Sequence, residues 1–496
     1  MLKRIFCSVL IILVLFAYLP VAPSFAANTN PIIDANSIYK LIDGWEIQSS
    51  DLVGTDGKLI SSNRYVPKGW YSTSVPNTVL GALINAGEYG DVFFGDNVAK
   101  IERNRFESPW WYRKAFILSE KEQGKRILLN FNGINYQADV WVNGNLVANK
   151  DQVVGTFRTF EFDITDYVIC DGVTQNVVAV CVTKPEYGKD LAIYWVDWCP
   201  QPADSNMGLW RDVYIATCSS VSVRNPFVTA KVDKDLSTAH LNAYVELSNY
   251  TNDNISGKLE ATIKSPAGTE IATISQPVAI RAGVKDMEVA FKAEDFDALN
   301  ISNPELWWPL YMGSQPMYSI EFKFMVNDKV SDKIMQKFGI REIYTEFNIS
   351  PSSKQSLKDM VQFYINHKPL LVRAGGYCPT DLFLRHSSEA NRSVIEYCKE
   401  MGLNAIRDEG KFWSDELLDL LDENGIMLIS GWCCCDRWQQ SHQWDEREMW
   451  IGTESLKSQL RLLRVHPSML AWMNGSDNPP SYDTNPATKQ RGIEVE

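Results

Sequence analysis

Positive charge is in short supply. Lys and Arg number 48 against 61 Asp and Glu, and the formal net charge is −13. Nucleic acid and anionic membrane both call for a basic surface, so neither is an expected partner. An acidic chain suits a cationic substrate. Histidine is scarcer still, at five. No Ser-His-Asp set is legible, and there is no nucleophile elbow, phosphate loop or dinucleotide fingerprint. No cofactor is expected. Beyond the N-terminus no run is long and apolar enough to span a bilayer. Nine cysteines follow Cys7, an odd number with no framework of spacings, so a disulfide pattern cannot be read. The run Cys433-Cys434-Cys435 invites a metal reading. On a strand, though, consecutive side chains point to opposite faces and cannot converge on one tetrahedral ion. No metal is expected.

What is present is apolar and aromatic. Hydrophobic residues make up 45% of the chain, with 16 Trp, enough for about three packed cores in 496 residues. Some of these rings are candidates to stack on flat sugar faces. Residues 1–26 read as a signal peptide. Lys3 and Arg4 supply the charged end, Ile5 to Ala17 the apolar core, and Ser24-Phe25-Ala26 the small cleavage residues. The mature protein is expected to be secreted or periplasmic, with no membrane contact once the signal is removed.

Residues 27–220 read as a jelly-roll β-sandwich. Short strands recur between turns: Arg126 to Phe131, Ala138 to Val142 closed by Asn143-Gly144, and Asn176 to Val182. Residues 221–345 repeat that rhythm on the scale of an immunoglobulin-like sandwich, with strands at Leu241 to Leu247 and Lys258 to Ile263. Leu306-Trp307-Trp308-Pro309 reads either as a plug of that sandwich's core or as an interdomain contact, and the plug is the expectation preferred. Residues 346–496 change to strand, helix, strand. Strands are expected at Leu370 to Ala374, Asn404 to Arg407, Ile426 to Ser430 and Met469 to Met473, with helices between. Four such steps imply a parallel sheet, most simply the first half of a (β/α)8 barrel, since a full barrel needs about 250 residues.

In such barrels, chemistry sits on the loops that follow the strands. Asp477 stands just past the last strand, beside Asn474 and Asn478. A loop Asp making a turn before Pro is the plainer reading of that position. The other strand ends carry Asp381, then Asp408-Glu409-Gly410-Lys411, then Trp432, Asp436 and Trp438. Carboxylates and rings at one mouth fit a sugar pocket, with acids for proton transfer and rings for stacking. A rim salt bridge is the alternative for each, above all for Glu409 beside Lys411.

The chain resembles glycoside hydrolase family 2. The motifs that carry the likeness run through nearly all of the mature sequence. They include Ser108-Pro109-Trp110-Trp111-Tyr112, the stretch Asn132 to Gly144, Asn206 to Val213, Phe338 to Glu342 and Gly402 to Arg407. Most members end the fourth strand with Asn-Glu, whereas here the pair is Ser476-Asp477. That departure is similar to the exo-β-D-glucosaminidase branch. The resemblance implies that Asp477 is the general acid/base and that Glu409 meets the substrate's 2-amino group. Asp381, Asn474, Trp438 and Asp436 are further candidates for the substrate pocket. The implied activity is retaining hydrolysis that releases glucosamine from the non-reducing end of chitosan oligosaccharides.

The family's nucleophile is a Glu near a seventh strand. Glu494 and Glu496 lie in a short polar tail and cannot take that role. The chain is therefore expected to be a truncated form that lacks the covalent step. A β-mannosidase-type glycosidase and a non-catalytic carbohydrate-binding protein remain the alternatives.

Overall fold

The computed structural model describes residues 32–33, 38–195, 199–347, 361–408, 413–432 and 436–473. The expected signal peptide, Glu409, the Cys433-Cys434-Cys435 run, Asn474, Asp477, Glu494 and Glu496 lie outside the described residues.

Alternation of apolar and polar residues builds the first layer. A seven-stranded sheet runs in the order Tyr71–Thr73, Trp45–Ser49, Trp110–Leu118, Asn176–Thr183, Gln137–Val142, Asn145–Ala148, with Ile32–Ile33 beside Trp110–Leu118. A four-stranded sheet faces it, in the order Phe160–Asp163, Arg126–Phe131, Val213–Cys218, Ile38–Lys40. Period-two side chains such as Val140, Val142, Leu129 and Ile215 close the core between the sheets and are fully buried. Asn143 and Gly144 both take positive φ, 47° and 82°, which a tight hairpin demands.

A second pair of sheets follows. One is built on Val221–Val232, Thr238–Asn249 and Met287–Phe291. The other orders Glu270–Ile280, Ile255–Lys264, Tyr318–Val326 and Lys329–Phe338. Leu241, Val245, Ile263 and Phe322 are fully buried between them.

The third layer is a parallel sheet of four strands in sequence order: β1 (Ala374–Tyr377), β2 (Ala405–Asp408), β3 (Met427–Gly431) and β4 (Met469–Met473). Its connections are α1 (Ser388–Glu400), α2 (Asp415–Asn424) and α3 (Glu446–Leu463). Each helix starts on a polar cap. Ser387, Ser414 and Asp445 accept from the backbone N–H groups of Ala390, Leu417 and Glu448, and Glu448 completes a capping box. α2 stops at Gly425, whose φ of 68° is left-handed.

Two expectations need correction. The first parallel strand is Ala374–Tyr377, not Leu370 to Ala374. Lys368–Leu370 pairs instead with Val361–Ile365 in an antiparallel hairpin. The apolar run Leu370 to Val372 thus ends one sheet and precedes the next. Leu306 to Pro309 is also more than a plug of its own sandwich. Trp307 is fully buried, its indole N–H donates to the Asp422 carbonyl of α2 at 2.9 Å, and its ring packs with Leu370, Ala405, Met427 and Leu470. It ties the second layer to the base of the parallel sheet.

Candidate active site

Parallel strands leave their C-terminal ends on one edge, so the ends of neighbouring strands fall close together. Tyr377 is in register with Asp408, and Gly431 with Met473. Asp408 is buried, and the Ser430 hydroxyl donates to its carboxylate at 3.4 Å. Burial raises the Tyr377 phenol well above its ordinary value, and the Asp408 charge pushes the same way. Trp432 follows β3 and meets Trp472 of β4 edge-on, ring centroids 5.1 Å apart. The edge thus gathers one carboxyl, one phenol and two indoles.

Gly431 makes this edge possible. A Cβ there would sit 2.1 Å from the Met473 carbonyl oxygen, so no other residue allows β3 and β4 to meet at this point. Asp477 lies four residues beyond Met473, Asn474 directly after it, and Glu409 directly after Asp408. All three follow strand ends of this edge in sequence.

Asp381 lies on the loop after β1. One carboxylate oxygen accepts from the Phe383 backbone N–H at 2.8 Å, and the other from Arg385 Nε at 2.8 Å. Arg385 reaches on to Asn85 of the first layer at 3.1 Å. Asp381 therefore shapes its loop and holds a cross-layer arginine.

Asp436 is buried and caps the single turn Arg437–Gln439 by accepting from the Trp438 backbone N–H at 2.9 Å. Trp438 is only 1% exposed. Its ring stacks on Trp432 at 4.2 Å and 11°, tilts against Phe157 and is met edge-on by Trp444. Its indole N–H donates to the Ala192 carbonyl at 2.8 Å. Trp438 is packed between the first layer and the parallel sheet. It backs Trp432 and does not open onto the mouth as an exposed stacking platform.

Sequence reasoning gave no role to the polar run that docks the first layer on this edge. Asn206 donates to the Leu382 carbonyl at 2.8 Å, in the Asp381 loop, and accepts from the Trp195 indole at 2.7 Å. Asn135 donates to the carbonyls of Ser205 and Asn206, both at 2.9 Å. Asp204 is fully buried, accepting from the backbone N–H groups of Leu80 and Asn206. Burial pushes its carboxyl up to about 6. Asn135 and Asn206 stood in the motifs that carried the family likeness. Nothing local marks Asp204, since its burial is made by residues far away in sequence.

Residues 45–192 match the glycosyl hydrolase 2 galactose-binding domain-like family, and residues 221–341 match glycosyl hydrolases family 2. The chain belongs to glycosyl hydrolase family 2. Among the relatives of this family 2 chain is an exo-beta-D-glucosaminidase of Amycolatopsis orientalis, 34% identical over 88% of this chain and 41% of that protein. One of Streptomyces avermitilis is 32% identical over 88% of this chain and 47% of that one. A solved exo-chitosanase of Amycolatopsis orientalis, in complex with PNP-beta-D-glucosamine, superposes with a TM-score of 0.79. It is 33% identical and covers 88% of this chain and 49% of its own. The family 2 chain spans about half the length of the curated relatives it matches.

Proposed function

We propose that this is an exported exo-β-D-glucosaminidase that removes glucosamine from the non-reducing end of chitosan oligosaccharides. The observation that carries the reading is the polar and aromatic strand-end edge, in a chain whose relatives at 30–34% identity are named exo-beta-D-glucosaminidases. In this reading the four parallel strands are the first half of a (β/α)8 barrel. Asp477, just past β4, protonates the leaving glycosidic oxygen and then activates water. A general acid/base of this kind contributes about 10²–10⁴-fold. Glu409, just past β2, meets the 2-ammonium group, with Asp381 and Asn474 around the same mouth. Trp472, half-buried at the end of β4, offers its ring to the sugar, while Trp432, Trp438 and Asp436 hold that wall from behind. The net charge of −13 favours approach of a cationic substrate.

A retaining reaction also requires a second carboxyl about 5 Å from the first. The resemblance places it on a Glu of a seventh strand, to which no residue of this sequence is assigned. The test is turnover of an aryl β-D-glucosaminide by a form of the protein that carries all eight strands. Asp477→Ala in that form is expected to remove most activity. Cleavage of β-mannosides in place of β-glucosaminides would overturn the choice of sugar. Sugar binding without any turnover would favour a carbohydrate-binding protein.

A further inference from the structure

The first layer sends one loop onto the loop that carries Asp381. It follows a short helix, Val79–Asn85. Both ends of that helix dock after β1. The Thr78 hydroxyl at its start donates to the Phe383 carbonyl at 3.4 Å. Asn85 at its end accepts from Arg385, which itself bonds Asp381. A few residues further on, the Phe93 ring packs on Phe383, with centroids 5.5 Å apart. The turn of residues 91–94 therefore stands against the Asp381 loop, at the rim of the candidate mouth.

That turn shows water two adjacent rings. Phe94 is 74% exposed and Phe93 48%. Single exposed apolar residues are ordinary, but two neighbouring rings beside a candidate site form a patch that a ligand can cover. The turn is held in shape by its own hydrogen bonds. The Phe93 backbone N–H donates to the Asp91 carboxylate at 3.2 Å, and the Asn97 amide donates to the Asp91 carbonyl at 2.7 Å. Before it, Arg105 lies over the Tyr89 ring and donates to the Tyr89 hydroxyl and to Glu88, both at 3.0 Å. Val92 is buried between the two polar anchors and the ring pair. Phe94 is thus presented by a pre-organised turn, and covering it costs little further ordering.

The charges around the rings indicate what covers them. Glu88 is engaged by Arg105, and Asp96 by Lys100. Asp91 is exposed and spends one carboxylate oxygen on the Phe93 N–H. Its other oxygen meets no partner among the described residues. An aromatic face takes the apolar face of a pyranose, and it also attracts a cation held over it. A carboxylate beside it gives a charge-assisted hydrogen bond to an ammonium group. Rings and one available carboxylate together match a sugar that carries an amine. A neutral glucan would find only the rings.

We propose that the turn of residues 91–94 is a subsite at the rim of the mouth that receives the leaving part of an aminated oligosaccharide, with Phe94 stacked on a sugar ring and Asp91 on its ammonium group. The inference rests on the proposed glucosaminidase reading for its substrate. The experiment is calorimetric titration of the full chain with glucosamine, a glucosamine tetramer and cellotetraose. Parent, Phe94→Ala and Asp91→Asn are compared. Phe94 is at the surface, and Asn keeps an acceptor for the Phe93 N–H, so both variants are expected to fold. The glucosamine tetramer is expected to bind at least about tenfold more tightly than glucosamine, and Phe94→Ala to abolish that gain. Asp91→Asn is expected to weaken the glucosamine tetramer and to leave cellotetraose as in the parent. Tetramer binding that Phe94→Ala does not weaken overturns the proposal. So does a tetramer that binds no better than glucosamine, or no binding at millimolar sugar. An oligomer of the chain that Phe94→Ala dissociates assigns the rings to contact between copies and overturns it too. Turnover of an aryl β-D-glucosaminide by the eight-stranded form is a separate measurement. Its absence refutes the hydrolase reading without altering these titrations, so the two readings fail separately.

Discussion

Replacing Trp438 by Ala separates a sugar platform from an interdomain strut. A fully buried Trp removes roughly 200 Å² from water, and at about 25 cal/mol per Å² that is about 5 kcal/mol. Ala retains the β-carbon, so the loss on truncation is about 4 kcal/mol, inside the ~3–5 range for such substitutions in cores. The indole N–H that serves the Ala192 carbonyl is lost as well, leaving a buried acceptor and adding about 1 kcal/mol. The expected cost is about 4–5 kcal/mol, read as a fall in the urea midpoint of unfolding. Trp438→Phe keeps a ring against Trp432 and Phe157 but not the hydrogen bond, and is expected to cost about 1–2 kcal/mol. The graded pair is the signature of packing. If Trp438→Ala unfolds at the same urea concentration as the parent yet binds glucosamine oligomers more weakly, the ring faces ligand and the packing argument is wrong.

Three further outcomes follow from buried groups. Asp204 has its carboxyl raised to about 6, above its ordinary value, so the folded state holds the proton more tightly than the unfolded one. Its contribution is therefore greatest at low pH and is lost as pH rises to about 6. The stability of Asp204→Asn relative to the parent is expected to improve as pH rises from 4 to 7, and a flat difference in melting temperature would refute this. Burial opposes charge on His466, but the hydrogen bond and charge of Asp422 outweigh it and hold the imidazole above its ordinary value. That pair stabilises fully below about 6.5 and its contribution is lost at higher pH. Asp422→Asn is expected to cost about 3–5 kcal/mol near pH 6 and less in alkali, read by urea unfolding at both. Gly431→Ala forces a methyl against the Met473 carbonyl and is expected to destabilise by about 1–3 kcal/mol or more, checked by thermal melting.

Periodicity by itself placed most of the framework. Arg126–Phe131 and Met469–Met473 are strands over the residues their pattern marks, and Ser414 and Gly425 bound α2 as capping chemistry requires. Such signals are local, because strand alternation and helix caps act over a few residues. Where two elements of like composition adjoin, the pattern loses its power. The apolar run after Lys368 belongs to a hairpin, while Gly375 and Gly376, poor strand formers, carry the true β1 because a neighbouring strand pairs with them.

The residue types of the candidate site were also legible, as acids and rings just after strand ends. Which of them face a ligand was not. Trp438 and Trp472 read alike in sequence. Only the approach of Phe157 and of Ala192, 246 residues away, turns Trp438 into interior. Asp204 and Gln459 gave no sign at all, since a polar residue in a turn or on a helix reads as solvated. Their burial is made by layers folded onto them from distant parts of the chain. Local periodicity and capping thus determined the elements and their order from sequence alone. The tertiary structure alone decided which polar and aromatic side chains lost their water, because desolvation depends on everything packed around a residue and not on its neighbours in the chain.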